Sequence, residues 1–378
     1  MPRRATTRGD ARTSLDGARA DVLVCGASFA GLAVARALAG AGADVLVVDR
    51  YEIGERATSA CAAPTPWLHA LGLRRAVRQE LPAMAFGTPH GVHRYELPWT
   101  WSAFDYRELC LELWATCGEA RFETAKVERR TARGVQTDRG ELVAPLVVDA
   151  LGWRRVLGAG FQPPEAPLSR GLEVHPHAPG GDSLDVWVDR DLVRAGYAWR
   201  VPAGGEQRVG VGSYWPRDHV KAPVRDLAER LAMPAERWQG NWFPHRLRPA
   251  ADERTFFVGD AAGHCLPLSG EGIRTAFHFG LACGAELRAV LEGRRTRADA
   301  LRRYAATSRR LRRTYALLLA GQRLLPRVPP RVLDLVFRVL SHPAAVRRAF
   351  TWYLDQAPPP AAPVPAVLRP ATTRSVAA

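Results

Sequence analysis

The amino-terminal part of the chain has a hydrophobic pattern that changes period between residues 21 and 49. Apolar, β-branched runs at 21–25 and 45–49 flank a glycine-containing turn and an Ala- and Leu-rich stretch from about 31 to 41. Short apolar runs bounded by turn residues are typical of buried strands, and a longer run with helical spacing is typical of a helix. The pattern predicts a strand–helix–strand unit at the start of an α/β fold.

Later segments predict two further kinds of strand. The runs 142–149 and 255–259 are apolar throughout, as parallel strands buried on both faces are. Four segments between these runs instead alternate apolar and polar residues, which is typical of antiparallel strands. They are 172–177, 184–188, 197–201 and 208–214. We therefore expect an antiparallel sheet inserted into the α/β fold.

The carboxyl-terminal part is rich in arginine and amphipathic. A helix is predicted there with one apolar face, formed by Leu301, Tyr304, Ser308, Leu311, Tyr315 and Leu318. Residues 294–350 carry a net charge of +13 out of +15 for the whole chain, although the chain has only two lysines, so codon bias towards arginine is one explanation. The others are the outer face of a packed helix, or a contact with an anionic membrane, an acidic carrier domain or a pyrophosphate-bearing substrate.

Composition excludes several classes of protein. No apolar run approaches the ~20 residues that span a bilayer. The six cysteines form no C-x-x-C pair and are too few for a disulfide scaffold. Residues 1–20 lack the apolar segment of an export signal, and no nucleic-acid-binding motif accompanies the positive charge. We expect a cytoplasmic protein that binds neither metal nor nucleic acid.

The first turn predicts a dinucleotide site. It reads Gly26-Ala-Ser28-Phe-Ala-Gly31, which matches G-x-G-x-x-G except that Ser28 replaces the second glycine. Such a turn presents the N–H groups of a helix N-terminus to a pyrophosphate. Asp49 lies 23 residues after Gly26, close to the spacing of the carboxylate that binds the ribose, and Arg50 beside it is a further candidate contact. The alternative is a glycine-containing turn that binds no nucleotide.

The second motif lies near residue 260. Gly259-Asp260-Ala-Ala-Gly is followed by Pro267 and then by Gly270-Glu-Gly272 at the start of a predicted helix. These residues resemble the FAD-dependent oxidoreductases of the geranylgeranyl-reductase and p-hydroxybenzoate-hydroxylase-like superfamily. The resemblance implies bound FAD, with Asp260 on the ribityl chain and the helix N-terminus facing the isoalloxazine. Reduced flavin carries negative charge that such a helix N-terminus stabilises.

Three other positions resemble elements of that family. Asp149, which opens Asp-Ala-Leu-Gly, is similar to an aspartate that lies close to the pyrophosphate. Arg107 is similar to an arginine that reaches the cofactor, the alternative being a solvated residue at a helix start. Cys61 follows the second strand, where the family has a cysteine near the flavin, so it is a candidate for positioning a proton; a buried structural thiol is the alternative. His175 and His177 are interpreted as ordinary sheet histidines rather than proton carriers.

A third motif points to the substrate. Tyr197-Ala-Trp199-Arg-Val201-Pro, followed seven residues later by Gly210-Val-Gly212, resembles the geranylgeranyl-reductase signature, with Val201 in place of Phe. The resemblance implies that Tyr197 and Trp199 line the pocket over the flavin. An aromatic wall suits an unsaturated hydrocarbon, because burial gains ~25 cal/mol per Å² without polar partners. A sheet face that only packs in the core is the alternative.

These motifs define the expected organisation, a Rossmann-like FAD-binding domain with an inserted antiparallel-sheet substrate domain and a helical carboxyl-terminal segment. The FAD-binding domain is expected at 21–85, 100–165 and 250–293, the substrate sheet at 86–99 and 166–249, the basic helical region at 294–356, and disordered tails at 1–20 and 357–378.

The expected function is geranylgeranyl-reductase-like: NAD(P)H reduces FAD, and flavin N5 then transfers hydride to a C=C of a small apolar prenyl or related natural-product substrate. The alternative is a monooxygenase that hydroxylates an aromatic or polyketide substrate through a peroxyflavin. A third hypothesis is a non-catalytic flavin-bearing protein that contacts a membrane or an acidic carrier protein through residues 294–350, peripherally rather than by spanning.

Overall fold

The computed structural model describes residues 13–57, 60–158 and 167–361. Its strands are β1 (Val22–Cys25), β2 (Val45–Asp49), β3 (Ala62–Pro64), β4 (Val77–Thr88), β5 (Gly91–Phe104), β6 (Arg121–Thr124), β7 (Val127–Arg130), β8 (Gly134–Thr137), β9 (Gly140–Val143), β10 (Leu146–Asp149), β11 (Leu168–Val174), β12 (Ser183–Trp187), β13 (Gly196–Pro202), β14 (Gln207–Ser213), β15 (Gln239–Pro244) and β16 (Thr255–Phe257). Its α-helices are α1 (Phe29–Leu38), α2 (Thr65–Ala70), α3 (Tyr106–Ala115), α4 (Lys221–Arg230), α5 (Ile273–Leu291), α6 (Arg297–Arg309), α7 (Arg312–Leu324), α8 (Pro330–Leu340) and α9 (Pro343–Asp355).

A parallel sheet forms the first layer. Its strand order is β16-β10-β1-β2-β6, and every neighbouring pair is parallel. The predicted strands at 21–25, 45–49 and 255–259 are therefore confirmed. The predicted run 142–149 is divided, because β9 belongs to a small antiparallel sheet with β7 and β8 while β10 belongs to the parallel sheet. Pro145, which has no N–H to donate to a ladder, lies where the chain leaves one sheet for the other.

The second sheet has eight strands in the order β15-β11-β14-β13-β12-β4-β5-β3. The four alternating segments predicted between 172 and 214 form β11 to β14, each within a few residues of its predicted bounds. The hairpin β4–β5 is much longer than expected and brings residues 77–104 and β3 into this sheet, in place of 86–99 alone. The expected boundary at 165–166 lies outside the described residues.

Helices α1 and α5 bring the two glycine motifs together. A Cβ at Gly280 would lie 2.6 Å from the Cβ of Ala33, and one at Gly284 would lie 2.4 Å from the Cβ of Ala37. Neither distance is tolerated between real carbon atoms, so glycine is required for this close packing. The packing fixes the N-terminus of α5 relative to the turn that precedes α1.

The carboxyl-terminal region is helical, as predicted, but the predicted continuous helix is two. The chain breaks between α6 and α7 at Arg310, and Leu301, Tyr304, Ser308, Tyr315 and Leu318 are buried as their spacing predicts. Leu311, at the break, is half-buried.

Parts of both expected tails are ordered, which corrects the expectation of disorder there. The N–H groups of Leu15 and Gly17 donate to the carbonyls of Arg139 and Glu141, so residues 13–20 run beside β9. At the other end, Trp67 Nε1 donates to the carbonyl of Ala357 at 2.9 Å. Unpaired backbone groups at a strand edge readily accept such a segment. Residues 1–12 and 362–378 lie outside the described residues.

Candidate functional site

The turn after β1 is closed tightly by its glycines. Gly26 has φ +113°, and a Cβ there would lie 2.3 Å from the carbonyl oxygen of Ala150, at the end of β10. A Cβ at Gly31 would lie 1.8 Å from the carbonyl oxygen of Gly26. Ser28 is accommodated because its side chain turns away to accept a hydrogen bond from the Tyr106 hydroxyl at 3.1 Å. The departure from the consensus therefore leaves the N-terminus of α1 open to a pyrophosphate.

Asp49 shapes this turn. Its carboxylate accepts from the N–H of Ala27 at 2.8 Å and from the N–H of Tyr51 at 3.1 Å. Burial raises the pKa of Asp49 above its ordinary value, although these two donors oppose the shift. A carboxylate has about four acceptor positions, and the backbone N–H of Arg50 also interacts with this one, so about one position remains for a ribose hydroxyl. The Arg50 guanidinium lies over the Tyr51 ring, 4.9 Å from its centroid.

Asp149 holds the equivalent turn after β10. It is fully buried, and its two oxygens accept from the N–H groups of Leu151 and Leu157 at 2.9 and 2.8 Å. Burial raises its pKa to about 6. Arg155, which the sequence did not single out, donates to the carbonyl of Ala261 at 2.8 Å and so ties this turn to the second motif.

Asp260 differs from both of these aspartates. Among the described residues, none donates a hydrogen bond to its half-buried carboxylate. Burial raises its pKa to about 6, and the charge of Arg248 only partly opposes this. A half-buried carboxylate that accepts no hydrogen bond from the protein is available to donors of a ligand. The ribityl hydroxyls of FAD are donors of this kind, so the residues present fit the cofactor.

Asp260 lies beside the loop that leads into α5, which we call the glycine loop (Pro267–Gly272). A Cβ at Gly272, the N-cap of α5, would lie 3.6 Å from Asp260 Oδ1. Gly259 has φ +62° and approaches α1 closely, since its Cβ would lie 2.9 Å from the Cβ of Ala30. The N-terminus of α5, which attracts negative charge, therefore lies next to a carboxylate that accepts no hydrogen bond from the described residues.

Side chains from three elements hold the glycine loop. Leu268 has φ +69°, and its N–H donates to Gln322 Oε1 on α7 at 2.9 Å. The Tyr214 hydroxyl donates to the Leu268 carbonyl at 2.8 Å, and the Tyr197 hydroxyl donates to the Ser269 carbonyl. A Cβ at Gly270, whose φ is +68°, would lie 2.8 Å from the Tyr197 oxygen. The second sheet and the carboxyl-terminal helices therefore both define the loop conformation.

Trp199 lies flat across a strip of glycines. A Cβ would lie 2.3 Å from its indole at Gly210, 3.3 Å at Gly212 and 3.6 Å at Gly171. The Gly-x-Gly pair in the third motif thus provides the surface on which this tryptophan rests. The Tyr197 and Trp199 rings are 5.8 Å apart, which gives an aromatic wall next to the glycine loop.

A buried carboxylate fixes this wall. Glu173 accepts from Trp199 Nε1 at 3.0 Å, from His175 Nε2 at 2.9 Å and from Gln239 Nε2. Burial alone would raise the pKa of Glu173, but the hydrogen bond and charge of His175 lower it below its ordinary value. His175 has this structural partner and His177 is exposed. Nothing in the sequence marked Glu173, because a single acid on an alternating strand is ordinarily solvent-facing.

Cys61 occupies a constrained backbone position. It is buried, has φ +52°, and burial raises the pKa of its thiol to about 12. Arg208 donates to the carbonyls of Ala60, Cys61 and Phe104, each at 2.8 Å. This buried arginine, also missed in the sequence, ties the segment after β2 to the second sheet.

Arg107 lies in the first turn of α3 and is exposed, and within the described ranges its side chain has no hydrogen-bond or ionic partner. A Cβ at Gly54 would lie 2.8 Å from the Arg107 Cα, so the segment after β2 packs on its backbone.

Comparison with known proteins gives a consistent set of relatives. The chain is 27% identical over 333 residues to digeranylgeranylglycerophospholipid reductase 2 of Methanopyrus kandleri, which covers 75% of this chain and 81% of that protein. The structure of the present chain matches that of a geranylgeranyl bacteriochlorophyll reductase-like protein from Thermoplasma acidophilum with a TM-score of 0.78. The two chains are 17% identical, and the match covers 90% of this chain and 96% of the other. No protein-family model matches.

A second structural match is PqsL from Pseudomonas aeruginosa, described as a probable FAD-dependent monooxygenase. Its TM-score is 0.64 at 20% identity, over 82% of this chain and 97% of PqsL. The chain is thus similar in sequence to a reductase of geranylgeranyl lipids, and it shares its fold with a geranylgeranyl reductase-like protein and with an FAD-dependent monooxygenase. The matches therefore include both geranylgeranyl reductase-like proteins and a flavin monooxygenase. No helix in the described ranges is both long and apolar enough to cross a bilayer.

Proposed function

We propose that the protein is a geranylgeranyl-reductase-like enzyme, which accepts electrons from NAD(P)H and reduces a C=C of an apolar prenyl or related natural-product substrate. The observation that carries this proposal is the Trp199 indole, held flat beside the glycine loop by Glu173 and by three glycines. A wall so fixed suits a flat, apolar, unsaturated chain. The similarity to a reductase of geranylgeranyl lipids supports the same substrate class.

Bound FAD would supply the hydride, which leaves from flavin N5. The chain would hold the cofactor with the turn Gly26–Gly31 and Asp49 at the adenosine end, and with Asp260 at the ribityl chain. The N–H groups at the start of α5 would stabilise negative charge on the reduced ring. Each of these groups is available in the structure without rearrangement of a buried hydrogen bond.

The substrate would lie against an apolar cluster that continues from Trp199. Trp99, Trp101 and Val201 in the second sheet pack there with Phe350 of α9. Trp101 and Val201 are already buried, so a prenyl chain would gain about 25 cal/mol per Å² only where it covers the half-buried Trp99, Trp199 and Phe350. The cluster supplies little polar discrimination, and so it favours a hydrocarbon over a polar aromatic substrate.

Reduction of an alkene also requires a proton on the second carbon, and we assign its positioning to Cys61. The thiol stays protonated at neutral pH, because burial raises its pKa to about 12. Proton transfer from sulfur to the developing carbanion would leave a buried thiolate beside the Arg208 guanidinium, which stabilises it.

The test is a single turnover without oxygen. The protein is reduced with NADPH, and geranylgeranyl diphosphate or a geranylgeranyl glycerophospholipid is then added. The proposal predicts flavin reoxidation with a product two hydrogens heavier. Trp199→Ala should raise the substrate concentration for half-maximal rate at least about tenfold, because it removes the wall, while Trp215→Ala, which removes an exposed tryptophan, should not.

The fold match with PqsL supports a second candidate, an oxygenase. In that case the isoprenoids would not reoxidise the reduced protein in the absence of oxygen. It would reoxidise only in air, with an oxygen atom gained by an aromatic substrate. Either outcome identifies the reaction class directly.

A further inference from the structure

Helix α8 turns its apolar side outward. Five of its residues are between 41% and 62% exposed, or close to half, and they recur at helical spacing: Val332, Leu335, Val336, Val339 and Leu340. This spacing forms one continuous stripe along the helix. Such a stripe ordinarily faces the core, so its exposure requires an explanation.

The orientation of α8 is fixed by its opposite side. Asp334 Oδ1 accepts from Thr88 Oγ1 at 2.9 Å and is 3.0 Å from His93 Nε2, both at the tip of the β4–β5 hairpin. The Tyr95 hydroxyl donates to the Phe337 carbonyl at 2.7 Å, and Leu333 is buried. Rotation of the helix to bury the stripe would break these contacts. The outward stripe is therefore a stable feature of the fold.

The charges around the stripe are positive. Arg331 and Arg338 are exposed on α8, and the single acid of the helix, Asp334, is used in the hairpin contact. Arg323 and Arg327 precede the helix and are exposed, as are further arginines on α9. Two such faces repel each other, which disfavours a second copy of the chain as the partner, and an anionic surface attracts them.

We propose that α8 lies on an anionic membrane surface, with its apolar stripe inserted among the lipid chains and its arginines among the headgroups. A helix with an apolar face flanked by arginine has the form of a helix bound in the membrane interface rather than across it. Two further exposed leucines, Leu317 and Leu324, lie on α7, which leads into α8. This inference goes beyond the proposed reaction and does not depend on it.

The position of α8 connects this surface with the site. The preceding helix α7 contacts the glycine loop through Gln322, and the following helix α9 contacts it through the Tyr353 hydroxyl, 2.8 Å from Ser269 Oγ. The buried Arg274 of α5 also donates to the carbonyls of Tyr353 and Leu354 at the end of α9. A membrane at α8 would thus lie next to the helices that hold the glycine loop, where a lipid-borne substrate could enter.

The experiment is co-sedimentation of the full-length, FAD-loaded protein with vesicles. Vesicles of phosphatidylglycerol and phosphatidylcholine are compared with vesicles of phosphatidylcholine alone. We expect binding to the anionic vesicles that falls at least tenfold in Leu335→Gln/Val339→Gln and in Arg331→Gln/Arg338→Gln. The matched control is Leu111→Gln, since Leu111 is 42% exposed, close to the 48% of Leu335, but lies on α3. It should bind as the unsubstituted protein does, and thermal unfolding checks that each variant folds.

Three results would overturn the proposal. The first is absence of binding to anionic vesicles, or binding that the α8 substitutions leave unchanged. The second is a concentration-dependent dimer in light scattering that Leu335→Gln/Val339→Gln dissolves, since the stripe would then be a contact between copies. The third is that the protein does not bind vesicles but binds an acidic carrier protein through α8. None of these assays contains NADPH or an isoprenoid, so failure of the proposed reaction would be seen separately.

Discussion

Trp199 and Glu173 lie on strands that are not neighbours, yet the indole N–H donates to the carboxylate at 3.0 Å. Both residues are register partners of Gly210, on the strand between them. The indole crosses that strand where no side chain stands in its way. Orientation of the aromatic wall thus depends on one buried acid and on one missing Cβ.

Glu173→Ala should destabilise the protein by about 2–3 kcal/mol, because three half-buried donors lose their shared acceptor. Glu173→Gln retains one acceptor oxygen and should cost about 1 kcal/mol. Urea unfolding measures both, with the exposed Glu119→Ala as a control that changes nothing. Equal stability of Glu173→Ala and Glu119→Ala would show that the carboxylate does not hold the wall.

Gly210→Ala should move the indole, since the new Cβ would lie 2.3 Å from Trp199. We expect normal FAD content and an apparent KM for the isoprenoid at least about tenfold higher, comparable with loss of an aromatic contact. Gly205→Ala is the matched control, because no heavy atom lies within 4 Å of its Cβ position. An unchanged KM in Gly210→Ala would show that the position of the Trp199 indole does not affect substrate binding.

Asp260→Asn should stabilise the apoprotein at neutral pH while weakening FAD binding. Burial raises the pKa of Asp260 to about 6. Between its unfolded pKa, about 4, and this value the carboxyl is neutral in the folded chain and ionised in the unfolded chain. Stability therefore falls as pH rises through this window, and the loss persists above it.

Removal of the charge should recover about 1–2 kcal/mol above the window, measured by thermal unfolding of apoprotein as a function of pH. FAD affinity should fall at least about tenfold, because the ribityl hydroxyls lose a charged acceptor. Asp226→Asn, on the exposed side of α4, should change neither quantity. Loss of stability in Asp260→Asn would instead indicate a structural carboxylate.

Cys61→Ala should lower kcat about 10²-fold, which is the low end of the range for loss of a general acid. FAD content and KM should be unchanged. The folded thiol should also react slowly with iodoacetamide at neutral pH, because burial raises its pKa to about 12. Cys283→Ala removes another buried thiol, within α5, and provides the comparison. Full activity in Cys61→Ala would show that Cys61 contributes only to packing.

Local patterns were sufficient to predict the parts of the fold that local chemistry determines. The turn Gly26–Gly31 and the Gly-Asp motif at 259–260 each follow an apolar strand directly, and their glycines occupy positions where a side chain would not fit. The antiparallel segments predicted between 172 and 214 likewise form β11 to β14, although β14 is buried along its whole length instead of alternating.

What the sequence did not reveal depends on contacts between distant segments. Glu173, Arg155 and Arg208 resemble ordinary surface charges until the fold buries them against carbonyls and side chains from elsewhere. Likewise, the outward direction of the stripe on α8 is decided by the contact of Asp334 with the β4–β5 hairpin, a segment that is distant in the sequence. The division of 142–149 follows from a single proline whose consequence appears only when both sheets are formed.

The most direct test of the central claim is titration of the apoprotein with FAD, followed by flavin fluorescence. We predict saturation at one FAD per chain, with binding lost in Gly26→Val, because any Cβ there meets the Ala150 carbonyl, and retained in Gly205→Ala. A chain that leaves FAD fluorescence unchanged, or that binds it equally well with valine at position 26, would contradict the account.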